Sequence, residues 1–222
     1  MKKIIFGFCA LCLAVSAFAK DKAELDNHLR KLAAKFEAMQ SNPDKAIPAE
    51  NLQKARGIVL LDRTKAGFIF AFQGGGGIGM VKEAKSGKWS APAFLTATEA
   101  SLGFQIGGQQ SFIVILLMTT NATRLLTDGD IEFGGEARGT AGNSTAGAEG
   151  NLKAQPSVLV YDDRKGLYGG AALKGGALSA DGDGNNAYYG QYVTLEDILF
   201  QNKFQPGETA KALIEKIEKP RK

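Results

Sequence analysis

The stretch that decides the fold begins Gly57-Ile-Val-Leu-Leu61 and, over residues 57–83, reads GIVLLDRTKAGFIFAFQGGGGIGMVKE. Its apolar runs at 58–61 and 67–72 have the length of strands, and the polar residues 62–65 between them have the composition of a turn. Four glycines at 74–77 precede a third run at 78–83. Glycine within strands marks bends, bulges or close backbone approach, so this stretch predicts a strongly bent sheet.

The rest of the chain adds strands and helices around this stretch. Glycine makes up 28 of the 222 residues, against about 7% in average proteins. Strands are predicted at 112–118, 131–139 and 152–161, with a glycine-rich strand pair at 166–178. Helices are predicted at 20–40, 48–56, 121–126, 194–200 and 208–217. We therefore expect an α+β fold: a strongly bent, glycine-rich, mainly antiparallel sheet or partial β-barrel, flanked by N- and C-terminal helices.

The first residues have the pattern of a secretory signal. Lys2 and Lys3 precede an uncharged apolar stretch at 4–15, and Ala17-Phe18-Ala19 has the small-x-small form of a cleavage site. This pattern predicts a signal peptide at 1–19, cleaved after Ala19, and export to the periplasm. The remaining residues, 20–222, are expected to form a single domain.

Both cysteines lie inside the predicted signal. The alternative of lipoprotein processing requires a small residue before a cysteine, but Phe8 precedes Cys9 and Leu11 precedes Cys12. The mature protein is therefore expected to have no disulfide and no thiolate ligand.

Charge and residue types argue against several classes of function. The net charge of +4 is not gathered into a basic stripe, so nucleic-acid binding is not expected. His28 is the only histidine, which leaves no set of imidazole and thiol ligands for zinc and no recognisable catalytic arrangement. We expect a non-enzymatic protein without a metal or a cofactor, and we expect His28 to be an exposed helical residue.

Two glycine-containing motifs resemble ligand loops but depart from them. Gly74-x-Gly76-x-x-Gly79 follows a predicted strand, but the chain after it is too short for the helix that a dinucleotide fold requires. No nucleotide is therefore expected. The run Asp181-Gly-Asp183-Gly-Asn185-Asn186 begins like a calcium loop, yet it lacks glycine at the sixth position and glutamate at the twelfth. A polar hairpin turn is the preferred interpretation, with weak calcium binding as the alternative.

The first helix has an apolar stripe, because its large apolar residues recur every three or four positions: Leu25, Leu29, Leu32, Phe36 and Met39. One hypothesis places this stripe in a lipid interface, where four basic residues would reach anionic head groups: Lys22, Arg30, Lys31 and Lys35. The other packs the stripe on the sheet of the same domain. Three acidic residues interrupt the basic flanks, namely Glu24, Asp26 and Glu37.

Several blocks occur in the order found in the SYLF family, which this chain resembles from about residue 28 to residue 202. They are Gly57-Ile-Val-Leu-Leu61, Lys65-Ala-Gly67-Phe68, the glycine cluster 74–77, Gly87-Lys-Trp89-Ser90-Ala-Pro92, Gly103-Phe104-Gln105-Ile-Gly107, the strand 112–118, Lys165-Gly166-Leu167-Tyr-Gly169 and Asn185-Asn-Ala-Tyr188-Tyr189-Gly190. The resemblance implies binding to phosphoinositides and other anionic lipids through an N-terminal amphipathic helix. It also implies actin binding in the fungal branch, which is not expected of an exported chain.

The sequence and the resemblance together predict non-catalytic binding of anionic phospholipid at the periplasmic face of an envelope membrane, with peripheral association. The lipid-binding residues implied by matching the helix are Lys22, Leu25, Leu29, Lys31, Leu32, Lys35 and Phe36. The alternative is a periplasmic protein-interaction or envelope-maintenance module that does not bind lipid. A hydrolase with an atypical site is a third hypothesis.

Overall fold

The computed structural model describes residues 21–66, 70–102, 109–127, 131–133, 157–163, 166–168 and 176–219. The helices in these ranges are α1 (Lys22–Gln40), α2 (Ala49–Lys54), α3 (Thr120–Arg124), α4 (Gly182–Tyr189), α5 (Leu195–Leu199) and α6 (Glu208–Glu218). The strands are β1 (Gly57–Ala66), β2 (Phe70–Val81), β3 (Ala93–Leu102), β4 (Gln109–Leu117), β5 (Ile131–Phe133), β6 (Val158–Asp162), β7 (Gly166–Tyr168) and β8 (Gly176–Ala180).

The strands form one eight-stranded sheet in the order β5-β8-β3-β2-β1-β4-β6-β7. Every neighbouring pair is antiparallel. Strand β1 lies in the interior, with Gly57 opposite Val81 of β2 and Leu117 of β4. The predicted α+β class, with an antiparallel sheet and helices at both ends of the chain, is confirmed.

The sheet buries apolar residues on both of its faces, because successive side chains of a strand point to opposite sides. The first face includes Ile58, Leu60 and Ile78 and packs against α1 and α6. The second face includes Val59 and Leu61 and packs against the residues of α3 and α5. The described elements therefore form helix, sheet and helix layers, with β1 at the centre.

Strand β1 is longer than the sequence predicted. Residues 62–65 were expected to form a turn, but β1 continues through them to Ala66. Asp62 pairs with Gly76 on one side and with Phe112 on the other. Hydrogen bonding to two neighbouring strands thus outweighs the turn propensity of these polar residues.

The glycine cluster lies within β2, so it does not separate two strands. A Cβ atom at Gly75 would lie 2.3 Å from the carbonyl oxygen of Asp62, and one at Gly77 would lie 2.3 Å from that of Leu60. Only glycine allows β1 and β2 to approach this closely. Of the three interpretations of these glycines, close backbone approach is present, whereas the expected separation into two strands at the cluster is wrong, because β2 runs through it without interruption.

Two elements were missed and one pairing was wrong. Strand β3 was not predicted, because its sequence, AFLTATEASL, has small and polar residues where an apolar run was sought. The run 181–186 is the cap and first part of α4, and the expected hairpin turn is not formed there. Strands β7 and β8 do not pair with each other: β7 pairs with β6, and β8 pairs with β3 and β5. Predicted strand residues 67–69, 134–139, 152–156 and 169–175 lie outside the described residues.

Candidate functional site

The apolar stripe of α1 lies in the core. The helix begins at an Asp21 cap, whose carboxylate accepts a hydrogen bond of 2.7 Å from the backbone N–H of Glu24. Four of the predicted lipid-binding residues are almost wholly buried, with exposed fractions of 4% for Leu25 and 0% for Leu29, Leu32 and Phe36. In this structure the stripe packs on the sheet, as the second hypothesis proposed. A lipid role for these four side chains stays a prediction, and it would require α1 to leave the sheet.

The three lysines of the predicted set have different surroundings. Lys31 is exposed. Lys35 is half-buried, and its Nζ donates to Asp62 Oδ2 at 2.5 Å. Lys22 is exposed, with its Nζ 5.6 Å from the centre of the Tyr188 ring. Since a helix turns by about 100° per residue, Lys31 and Lys35 share one flank of α1, whereas Lys22 lies on the opposite flank.

Asp62 connects the Lys31–Lys35 flank to the sheet. Its Oδ1 atom is buried without a hydrogen-bond partner among the described residues, while its Oδ2 binds Lys35. His28 lies beside this pair, because a Cβ atom on Gly76 would be 3.2 Å from His28 Nε2. His28 is half-buried and lies over the sheet, which corrects the expectation of an exposed residue. The charge of Lys35 is therefore partly neutralised by its ion pair with Asp62.

Helix α6 lies beside α1 and fixes its other flank. Lys216 of α6 forms an ion pair with Glu37 of α1. Near its end, α6 also places Glu218 at 3.6 Å from Lys82 Nζ. These contacts hold α1 by polar interactions at both flanks and by apolar packing beneath it.

The Asn185-Asn-Ala-Tyr-Tyr189 motif joins α4 to the sheet. The buried Asn185 side chain accepts from the backbone N–H of Phe94 at 2.8 Å and donates to its carbonyl oxygen at 2.9 Å. The Tyr189 hydroxyl donates to the carbonyl oxygen of Pro92 at 2.6 Å, and burial strongly raises the pKa of Tyr189. The motif therefore has a structural role. The spacing of the Asn-Asn and Tyr-Tyr pairs in the sequence does not predict that their side chains join α4 to the sheet.

The predicted cap of α5 is present. Thr194 and Asp197 form a capping box, in which each side chain accepts a hydrogen bond from the other residue's backbone N–H. A hydrogen bond from Lys203, followed by those from Thr194, lowers the pKa of Asp197 to about 2. This carboxylate stabilises the helix start.

Neither a membrane-spanning helix nor a metal cluster is found in the part of the chain that the structure describes. No helix there is long and apolar enough to cross a bilayer. No group of three or more His, Cys, Asp and Glu residues there is placed to hold a metal ion.

Comparison with known proteins identifies the family of this chain. The model of the Ysc84 family, described as "Las17-binding protein actin regulator", matches residues 98–220. "SH3 domain-containing YSC84-like protein 1" of Homo sapiens is 34% identical over 172 residues, covering 76% of this chain and 50% of the relative. The Xenopus laevis protein of the same description is 33% identical over 194 residues, covering 85% of this chain and 57% of the relative.

A yeast relative extends the comparison. "LAS seventeen-binding protein 3" of Saccharomyces cerevisiae is 30% identical over 161 residues, covering 70% of this chain and 35% of the relative. The chain spans about half the length of the vertebrate relatives it matches. The fold defines an antiparallel α+β protein whose sheet is packed between helices. The chain belongs to the Ysc84/SYLF family.

Proposed function

We propose that this protein binds the surface of an anionic phospholipid membrane, without catalysis, at the periplasmic face of an envelope membrane. The observation that carries the proposal is the basic flank of α1, where Lys31 is exposed one helical turn from Lys35. The buried stripe beneath the helix keeps this flank at a fixed position on the surface. Family membership supports a binding role.

The physical basis is electrostatic attraction without insertion of the apolar stripe. A lysine near an anionic leaflet contributes roughly 1 kcal/mol, and the attraction decays within a Debye length, about 10 Å at 0.1 M salt. Lys31 makes no ion pair with any residue that the structure describes, so its charge is available to head groups. Lys35 contributes less, because Asp62 already offsets its charge.

Vesicle co-sedimentation tests the proposal. Wild-type protein should bind vesicles that contain phosphatidylglycerol at low salt and should release them as salt increases, while pure phosphatidylcholine vesicles should not bind. Lys31→Glu should weaken binding about tenfold, since it replaces an attraction by a repulsion. Lys35→Glu is unsuitable for this purpose, because the new carboxylate would face Asp62.

Lys211→Glu is the matched control. Lys211 is also an exposed helical lysine, but it lies on α6 and pairs with Glu208. Its reversal gives the same change in net charge and should leave vesicle binding nearly unchanged. Equal loss in the two variants would show an effect of net charge alone, and no binding by the wild-type protein would refute the proposed function.

The periplasmic location has its own test. Lys2, Lys3 and Ala17-x-Ala19 support cleavage after Ala19. Mass spectrometry of the protein from an envelope fraction should find a mature N-terminus at Lys20 without attached lipid. A diacylglyceryl group on Cys9 or Cys12 would contradict this location and processing.

Protein interaction is the second candidate function, and one exposed side chain favours it. Tyr192, between α4 and α5, is 83% exposed, and tyrosine is enriched where proteins bind one another. A photo-reactive amino acid at position 192 should then crosslink to one discrete protein in envelope extracts. The same residue placed at Lys211 is the control, and matching crosslink patterns would argue against a specific partner.

A further inference from the structure

A second basic surface lies at the end of the sheet where β1 begins and β2 ends. Arg56 precedes β1, and Lys85 and Lys88 lie in the turn that follows β2; all three side chains are exposed. Backbone hydrogen bonds bring the two segments together: the N–H of Lys82 donates to the carbonyl oxygen of Arg56 at 2.7 Å. We call Arg56, Lys85 and Lys88 the basic end.

The cations of the basic end differ from most other surface cations of the described chain, which form ion pairs with carboxylates. Arg56, Lys85 and Lys88 form no ion pair with any residue in the described ranges. By contrast, many exposed cations elsewhere bind a carboxylate, including Arg30, Arg124, Lys203, Lys211 and Lys219. Glu83 in the same turn accepts a hydrogen bond from the Ser86 hydroxyl, so the three cations stand against one nearby carboxylate. This excess of positive charge indicates a surface suited to an anionic partner.

The turn that carries these lysines is held firmly. The N–H of Glu83 donates to the carbonyl oxygen of Lys88 at 2.8 Å, and Gly87 adopts the left-handed conformation, with φ of 68°. Beneath the turn, the Lys82 ammonium lies 5.2 Å from the centre of the buried Trp89 ring. The basic end therefore presents its charges from a fixed base.

The chemistry of this surface fits a lipid leaflet better than a nucleic acid or a defined protein partner. Single-stranded nucleic acids require exposed aromatic rings for stacking, but Trp89 is buried. Tight protein interfaces centre on a buried apolar or aromatic anchor, and no exposed residue of this turn is a large apolar or aromatic one. Charges on flexible stems without such an anchor suit a diffuse anionic surface.

We propose that the basic end is a second contact surface for anionic phospholipid, separate from the flank of α1. This inference rests on the proposed function. Asp62, which binds Lys35, lies five positions along β1 from Gly57, and at about 3.3 Å per residue this separates the two surfaces by roughly 17 Å. The two contacts therefore act as linked sites, and losing one weakens binding without abolishing it.

The test compares two double variants that change net charge equally. Lys85→Glu with Lys88→Glu should weaken binding to phosphatidylglycerol-containing vesicles by about 100-fold, because each reversal should weaken it about tenfold. Lys203→Glu with Lys211→Glu should weaken it by no more than about threefold, the allowance for long-range charge. Circular dichroism and melting temperature check that each variant is folded.

The possible results separate this inference from the function on which it rests. Selective loss in the Lys85/Lys88 variant supports the basic end. If the wild-type protein binds and both double variants lose affinity equally, the basic end is not a contact surface, although the proposed function stands. If soluble polyglutamate displaces the protein from vesicles at equal charge concentration, the surface prefers an acidic polypeptide and the inference is wrong. Absence of wild-type binding to anionic vesicles would contradict the proposed function itself.

Discussion

Asp197 is the carboxylate whose titration best reports local structure. Its pKa of about 2 lies below the ordinary value of 3.8, chiefly because Lys203 donates a hydrogen bond to it. A lowered pKa means that the stabilising effect is complete above the ordinary value and is lost as pH falls through about 2. NMR titration of the side-chain carbon should give this pKa, and Lys203→Ala should raise it. An ordinary pKa in the wild-type protein would contradict the capping geometry.

Asn185 should be among the most sensitive polar residues of the described chain. It is 2% exposed and serves both the N–H and the carbonyl oxygen of Phe94. Asn185→Ala leaves the buried N–H of Phe94 without that partner, whereas the Phe94 carbonyl oxygen keeps a hydrogen bond of 3.0 Å from the N–H of Asp181. The substitution should therefore cost about 1–3 kcal/mol of unfolding free energy. Urea unfolding measures the loss.

Asn186→Ala is the comparison for that substitution. The Asn186 side chain is half-buried and accepts one hydrogen bond, from the N–H of Val193. Its loss should cost about 1 kcal/mol. Equal destabilisation by the two substitutions would show that Asn185 has no special role in joining α4 to β3.

The sequence of α1 predicts which residues lie on its surface, but it does not predict which residues they contact. The spacing of apolar residues predicted which face of α1 is apolar, and thereby placed Lys31 and Lys35 beside it. That Lys35 binds Asp62, 27 positions away, depends on how the helix crosses the strands. Helix periodicity defines a face, but it does not state what covers that face.

At the scale of elements, the burial of the α1 stripe has a direct consequence for stability. Phe36→Ala should cost about 3–5 kcal/mol of unfolding free energy, because it leaves a cavity between α1 and the sheet. Ala38→Ser, at an exposed position of the same helix, should change stability by about 0.5 kcal/mol or less. Chemical denaturation distinguishes the two. A small cost at Phe36 would mean that α1 spends much of its time away from the sheet.

The glycines of β2 allow a second prediction about an element. Gly77→Ala would bring a Cβ atom against the backbone oxygen of Leu60, so β1 and β2 must separate locally and stability should fall by about 1–3 kcal/mol. Gly182→Ala is the control, since nothing lies within 4 Å of its added Cβ. That substitution should be neutral or stabilising by up to about 1 kcal/mol. Thermal unfolding of both variants checks the contrast, and a neutral Gly77→Ala would be inconsistent with the close strands.

Elements with strong local signals were predictable, and those that depend on distant contacts were not. The sequence predicts the apolar stripe of α1 from the spacing of its large apolar residues, the capping box of α5 and the apolar run of β4. The structure contains each of them. Strand β3 has no such run and is specified by pairing with β2 and β8. Helix α4 contains Gly182 and Gly184, and its cap on Asp181 and its contact with Phe94 outweigh their poor helix propensity.

At the scale of the whole molecule, the layers are assembled from distant parts of the chain. The first face of the sheet is covered jointly by α1 and by α6, whose buried residues include Leu213 and Ile217. The interior strand β1 follows α1 closely in sequence, whereas α6 comes more than 140 positions after β1 ends. The general arrangement of helices at both ends was predicted, but their side-by-side contact depends on tertiary packing.

This late contribution of α6 matters while the polypeptide is being made. Until residues 208–218 leave the ribosome, or arrive across the membrane if the chain is exported, Leu213 and Ile217 are missing from the first face. A nascent chain would meanwhile display apolar surface, the kind of intermediate that chaperones bind. A chain stopped after Pro206 should therefore bind a hydrophobic dye and be digested by protease faster than the full chain. Resistance equal to that of the full chain would show that folding is complete before α6 is added.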